Sequence, residues 1–506
     1  MEFMRRLGFG SRKPREAQPV TLPLYANGKD LQTSETKDVF DPGKPDTLVG
    51  RIGQATEAQS KEVLDGAWKA WRSWAALSPE ERAEKLIAAL EGLDKTADER
   101  ARLNTLENGK PLMESQIEMQ VFVDRCRLAA ELAPALNEVE TFDPETEESV
   151  KGRQPYKFKT EVRREPMGLV TIIAPYNWPV AITAATLPYA LIAGNCVTIK
   201  PPSSNPLALT TTIRHLAERL PAGVLNIVSG GHEVIEPLIT DKRVQHVSFT
   251  GSTGGGQKIM ELATENLART TLELGGNDPV IFLEGAGLSD ETISHLALTS
   301  FMTAGQVCMG IKRVYVHSSH YDELVEKLSA ELDQWLVGHG TEDDVRMGPL
   351  IDEDQRDFVS RLVEEAREAG CEIRELGTLT DTAKTGGWFL KPTLVLNPPE
   401  DSGIVAKEQF GPALPIVKFD DEDALVDRLN EEWAGLCSSV WCADIGHATR
   451  VARRLRTGTT WINTHNANSL DDRAPFGGFR LSGVGREMGK EGLFEFTEAH
   501  TITRQA

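Results

Sequence analysis

The sequence predicts an α/β protein made of two open α/β units, with extended segments outside both. Three observations predict it. Short apolar runs at 168–173, 196–199, 224–228 and 244–249 alternate with helical segments. The same texture returns in strand candidates at 314–316, 414–419 and 438–441 and helix candidates at 321–336, 354–369 and 447–455. Segments 156–164 and 495–504 are extended in pattern but join neither series, and paired edge strands in an oligomer are a natural use for them. Brief buried strands separated by helices describe a parallel sheet covered on both faces.

Taken from the start, residues 1–15 are basic, are interrupted by Gly8, Gly10 and Pro14, and lack the apolar stretch of a secretory signal. They read as a frayed or weakly docked arm. Residues 57–103 read as helices: Leu64, Trp68 and Trp71 fall at i, i+4 and i+7 with charges opposite, a stripe expected to pack on a core. Ser78-Pro79-Glu80-Glu81 is a helix start, with proline at the first helical position and acids in the first turn.

Composition sets the outer limits. A chain of 506 residues exceeds a single core, so two or three domains are expected. A net charge of −21 repels nucleic acid and anionic membranes, which sets both aside as partners. No stretch approaches the ~20 apolar residues of a membrane span. Cys126, Cys196, Cys308, Cys371, Cys437 and Cys442 are scattered, without C-x-x-C or metal-ligand spacing. The expectation is free thiols, a reducing cytoplasm and no metal. His232 to Glu236 begins like a zinc-protease helix but has no second histidine.

The chemistry-bearing residues follow the strands. Gly251-Ser252-Thr253-Gly254-Gly255-Gly256 lies between a strand and the helical 257–263, where backbone N–H groups meet a phosphate. Its order is not the usual dinucleotide G-x-G-x-x-G, and a plain glycine turn reads equally well. Lys200 ends a strand, where parallel sheets bind ligands, although a lone lysine is usually a solvated charge. Glu273 sits in an apolar strand, so desolvation would raise its pKa toward that of a general base; N–H groups of Gly275 and Gly276 could equally satisfy it. Cys308 lies in a Gly-flanked loop that could expose a reactive thiolate, or it is an inert small hydrophobe. Asn177, in a turn, offers a neutral donor of the type that holds an oxyanion, and is also a common turn residue.

Together and in order, these pieces resemble the aldehyde dehydrogenase superfamily from about residue 25 onward. The motifs are A-P-Y-N-W-P at 174–179, K-P-P-S at 200–203, F-T-G-S-T at 249–253 and L-E-L-G-G-N at 272–277. G-Q-V-C at 305–308, E-Q-F-G-P at 408–412 and P-F-G-G-F-R-L-S-G at 475–483 complete the set.

The resemblance implies two Rossmann-type open α/β domains plus a small β oligomerisation extension. A nicotinamide-dinucleotide domain would span 20–145 and 165–278 and a catalytic domain 279–475, with oligomerisation strands at 146–164 and 484–506. It implies that Cys308 attacks the aldehyde carbon, that Asn177 and the Cys308 N–H hold the oxyanion, and that Glu273 activates the water that hydrolyses the thioester. Lys200 and Ser203 would meet the adenosine ribose, Gly251 and Ser252 the pyrophosphate, Glu408 the nicotinamide ribose and Phe410 the nicotinamide ring. Ser203 stands where many NAD-preferring members carry Glu, so the expected cofactor is NAD, with NADP not repelled. Trp178, Val307 and Met309 line the substrate side and suit an aldehyde with a hydrophobic body. Arg480 replaces the commoner lysine of its motif. A homodimer or homotetramer is implied. The alternatives are transfer of the thioester to coenzyme A, against which Glu273 argues, and an inactive structural or binding relative, against which the full set Asn177, Glu273, Cys308 and Glu408 argues.

Overall fold

The computed structural model describes residues 19–146, 149–466 and 469–505; the basic arm expected at 1–15 lies outside them. Two large sheets carry the molecule. The first has eight strands in the order Gly483–Val484, Arg269–Glu273, Val244–Thr250, Leu169–Ile173, Cys196–Lys200, Leu225–Ile227, Leu24–Ala26 and Lys29–Leu31. The strands from Arg269–Glu273 to Leu225–Ile227 run parallel, and those at both edges are antiparallel. Leu169–Ile173 and Cys196–Lys200 are buried throughout, as expected of strands covered by helices on both faces. The chain steps from Leu169–Ile173 outward to Cys196–Lys200 and Leu225–Ile227, then returns to Val244–Thr250 on the other side. This reversal opens a crevice beyond the carboxyl ends of the strands, where open α/β sheets bind ligands.

The second sheet has seven strands in the order Glu372–Glu375, Thr393–Leu396, Ala413–Phe419, Arg313–His317, Pro279–Phe282, Cys437–Trp441 and Thr459–Ile462, parallel except for the first. Residues 274–278 cross from one sheet to the other, so Glu273 ends a strand of the first and Pro279 opens the second. Each sheet has its own apolar core. A small third cluster between them contains Trp178, Ala181 and Val307, with Met309 packed against it.

The α/β class holds, with local differences. The helix expected over 321–336 ends at Asp333, and Leu336–Val337 instead pairs in parallel with Val345–Met347 and Thr378–Leu379. Extended segments were expected at 156–164 and 495–504. The strands are Phe158–Pro166 and Thr497–Gln505, paired antiparallel with each other, and Glu140–Phe142 joins them on the far side of Phe158–Pro166. Glu495 belongs to the helix Gly489–Glu495, and Val484 to the first sheet, so the extended tail is shorter than 484–506. The hairpin of Glu35–Asp41 with Lys44–Gln54, turned at Pro42-Gly43, was not among the expected elements. Ser78 caps its helix through a reciprocal bond with Glu81, and Trp68 and Trp71 stack at 4.8 Å, half-buried against the first core. All six cysteines are free. Among the described residues, no helix is long and apolar enough to cross a membrane.

Candidate active site

The site forms where the carboxyl ends of the first sheet meet the second. Asn177 lies in the turn after Leu169–Ile173, just before the helix Pro179–Ile192. That helix has no side-chain cap of its own at Trp178. Glu118, from the helix Leu112–Glu131, supplies one, accepting the N–H groups of Val180 at 2.7 Å and Ala181 at 3.2 Å. Lys110 pairs with Glu118 at 2.8 Å, donates to the carbonyl of Asn177 and sits over the Trp178 ring. This buried pair fixes the turn, so the Asn177 amide reaches the cysteine loop and donates to the carbonyl of Gln306 at 3.0 Å.

The loop before Cys308 is held in an unfavourable backbone conformation. Thr303 and Ala304 adopt φ of 50° and 54°, and Gly305 follows at 75°. Left-handed geometry costs a non-glycine residue about 1–2 kcal/mol. Glu114 accepts the N–H of Thr303, and the Thr303 hydroxyl bridges Glu114 and the Trp178 indole. Lys312 donates to the carbonyls of Gly305 and Val307.

Cys308 is partly exposed into a cavity of about 220 Å³ that Asn177, Trp178, Glu273, Val307 and Met309 also line. The structure therefore gathers the expected catalytic trio and the three expected pocket residues in one place. Burial pushes the Cys308 thiol up to about 12, Glu408 adds to this, and Lys312 opposes it. Glu273 is 4% exposed, and neither carboxylate oxygen has a hydrogen-bond partner. The Gly276 N–H that could have satisfied it goes instead to Glu408, at 3.2 Å. Burial raises the Glu273 pKa well above the carboxylate range, Glu487 adds to this, and Arg486 opposes it.

Lys200, Ser203, Gly251, Ser252, Glu408 and Phe410 do not line that cavity. Lys200 is buried with the Ser203 hydroxyl at 3.0 Å, and burial, then Lys37, lowers it to about 8. It forms no ion pair among the described residues. Ser252 caps the helix Thr253–Ala263, accepting from Gly255 at 3.1 Å. Glu408 is raised to about 7 by burial, against Lys312. Phe410 holds a left-handed φ of 46°, meets Tyr176 edge-on and lies under Lys312. The double glycine permits close approach: a Cβ at Gly275 would lie 2.5 Å from Glu408, and one at Gly276 would lie 2.9 Å from the Cys308 carbonyl.

The aldehyde dehydrogenase family model matches residues 30–502. The chain belongs to this family. It is 32% identical to a glutarate-semialdehyde dehydrogenase of Pseudomonas putida, covering 96% of this chain and 98% of the relative. It is 33% identical to a phenylacetaldehyde dehydrogenase of Pseudomonas fluorescens, covering 96% and 95%. The fold matches the crystal structure of an NADP-dependent enzyme of E. coli with a TM-score of 0.88 at 30% identity, covering 96% of this chain and 98% of that one. The chain is thus an aldehyde dehydrogenase, an enzyme that oxidises aldehydes.

Sequence reasoning passed over several residues of this dehydrogenase's site. Glu114 and Glu118 lie four apart on one helix, a spacing that puts both on one face; only their burial distinguishes them from solvated charges. Glu487, Arg125 and Asp472 line the cavity without any local signal. Arg480 donates to the carbonyls of Asn430, Ala434 and Arg456, pinning the end of its glycine-rich motif to the second unit.

Proposed function

We propose that the enzyme oxidises an aldehyde to its carboxylic acid with NAD(P)+ and water, through a thiohemiacetal and a thioester on Cys308. The observation that carries this is the buried, unpartnered carboxylate of Glu273 in the same cavity as Cys308 and Asn177. The Cys308 thiol releases its proton to solvent as the sulfur bonds to the aldehyde carbon. Asn177 and the Cys308 N–H are the donors for the resulting oxyanion, each worth about 3 kcal/mol by analogy with other oxyanion sites. Bound NAD(P)+ supplies the hydride acceptor that turns the thiohemiacetal into a thioester. Glu273 then takes a proton from water as the water oxygen adds to the thioester carbon, and the acid leaves as Glu273 passes that proton to the departing Cys308 sulfur. Glu487 is the next carboxylate in line and is itself raised to about 7 by burial.

The residues fit a dinucleotide. Lys200 is a buried cation without a carboxylate partner among the described residues, suited to ribose hydroxyls or a 2′-phosphate, and Ser203 and Lys37 beside it carry no negative charge. Gly251 and Ser252 stand at the helix start for the pyrophosphate, Glu408 for the second ribose, and Phe410 for the ring. Both NAD and NADP are accepted in this reading.

The exposed aromatic and aliphatic residues Phe142, Phe158 and Ile502 on the small sheet support a homo-oligomer, a dimer or tetramer, built through it. Free thiols throughout support a cytoplasmic enzyme. The test is free-acid and NAD(P)H formation from an aldehyde without coenzyme A. Equal yields of both are expected, with loss of both in Cys308→Ala. Reduced cofactor without free acid until coenzyme A is added would transfer the enzyme to the acylating branch.

A further inference from the structure

Arg125 is the only cation lining the Cys308 cavity among the described residues. It comes from the helix Leu112–Glu131, near Ile117 and Val121 on the same wall. Every nitrogen of its guanidinium is engaged. Nε and Nη2 bond the two oxygens of Asp472 at 3.0 Å each, and Nη1 donates to the carbonyl of Ala181 at 2.9 Å. The fork-to-fork pair is the geometry with which arginine recognises carboxylates. Here the chain supplies that carboxylate itself.

Apolar residues such as Ile117, Val121, Trp178, Ile182, Met302 and Phe476 make up most of the remaining lining, with the uncharged polar Asn177, Thr250 and Asn466 among them. The remaining acids, Glu273 and Glu487, are held toward their neutral forms by burial. Once ionised they repel a substrate anion. A substrate carboxylate entering this cavity would be desolvated without a counter-charge, which is strongly unfavourable.

We infer that Asp472 acts as a built-in occupant of a carboxylate-binding position at Arg125, so that the enzyme takes uncharged aryl or alkyl aldehydes and rejects semialdehydes bearing a second carboxylate. The inference rests on the aldehyde-oxidising reading above and names its substrate class. Asp472 is a specificity-determining residue acting through Arg125 and takes no part in the chemistry.

The test compares kcat/KM of the full-length enzyme for phenylacetaldehyde, glutarate semialdehyde and betaine aldehyde. Wild type is expected to favour phenylacetaldehyde over each charged aldehyde by about tenfold or more, since charge-assisted recognition is withheld. Asp472→Asn frees Arg125 while keeping the side chain's size. It should raise the ratio of glutarate semialdehyde to phenylacetaldehyde about tenfold, chiefly through a lower KM for the semialdehyde. Adding Arg125→Gln should abolish that gain. Asp472→Ser serves if the asparagine variant does not fold. A wild-type preference for either charged aldehyde, or an unmoved ratio in the folded Asp472 variant, overturns the inference and leaves aldehyde oxidation standing. No oxidation of any of the three by wild type overturns the parent reading.

Discussion

Both carboxylate oxygens of Glu114 are committed to one residue: Oε1 accepts the backbone N–H of Thr303 at 3.1 Å and Oε2 accepts its hydroxyl at 2.5 Å. Thr303 begins the left-handed turn that leads to Cys308, so a glutamate on a distant helix holds the nucleophile's loop in place. Removing it by Glu114→Ala should cost about 1–3 kcal/mol of stability, the range for a buried hydrogen-bond partner. It should also lower kcat, because the loop relaxes. Glu114→Gln retains one acceptor and should lose less of both. Denaturant unfolding alongside steady-state rates separates the two effects.

Asn177 is placed by Lys110 and Glu118 rather than by its own turn. Asn177→Ala is expected to reduce kcat/KM by about 10²–10³-fold, the usual loss for one oxyanion donor. Unfolding and cofactor-binding measurements should stay near wild type if the amide serves the oxyanion. A loss confined to KM would count against that role.

Glu273 should divide the reaction in two. Glu273→Gln is expected to complete one round of cofactor reduction and then stall, leaving an acylated Cys308 visible in the intact mass of the protein. The pH dependence has a definite sign. Burial raises the Glu273 pKa, so the basic carboxylate is gained as pH rises, and thioester hydrolysis should accelerate with pH above the ordinary carboxylate range. The glutamine variant should lose that dependence.

Ser203 lies 3.0 Å from the Lys200 ammonium. Ser203→Glu would pair with that lysine and present a negative charge to a 2′-phosphate. NADP efficiency should fall by about tenfold or more relative to NAD, on the strength of one like-charge contact in a partly buried site. In the wild-type enzyme the two cofactors should lie within about a hundredfold of each other, and a wider gap against NADP would remove the dual-cofactor reading.

The sheets were legible where burial imposes an apolar run: Leu169–Ile173 and Cys196–Lys200 stand out because both faces are covered. Leu336–Val337 was not legible. A two-residue strand has no periodicity, and the helix Tyr321–Asp333 before it shares its apolar spacing. The same contrast holds in the site. Cys308, Glu273 and Asn177 were each ambiguous alone and became legible through the ordered motifs around them, and the structure brings them to one cavity. Glu114, Glu118 and Arg125 are single charges on a helix, and nothing short of tertiary packing shows that they face inward. Glu273 illustrates the reverse case, in which the sequence left two readings open. The routing of the Gly276 N–H to Glu408 leaves the Glu273 carboxylate without that partner.

The pairing of Thr497–Gln505 with Phe158–Pro166, and of Gly483–Val484 with Arg269–Glu273, has a consequence for biogenesis. Two strand edges formed early in synthesis wait for partners made hundreds of residues later, and until then each presents unpaired backbone to other nascent chains. Such long-range closure slows folding and lengthens the aggregation-prone interval. Chaperone dependence and expression yield should therefore respond to changes in residues 497–505, none of which lines the Cys308 cavity.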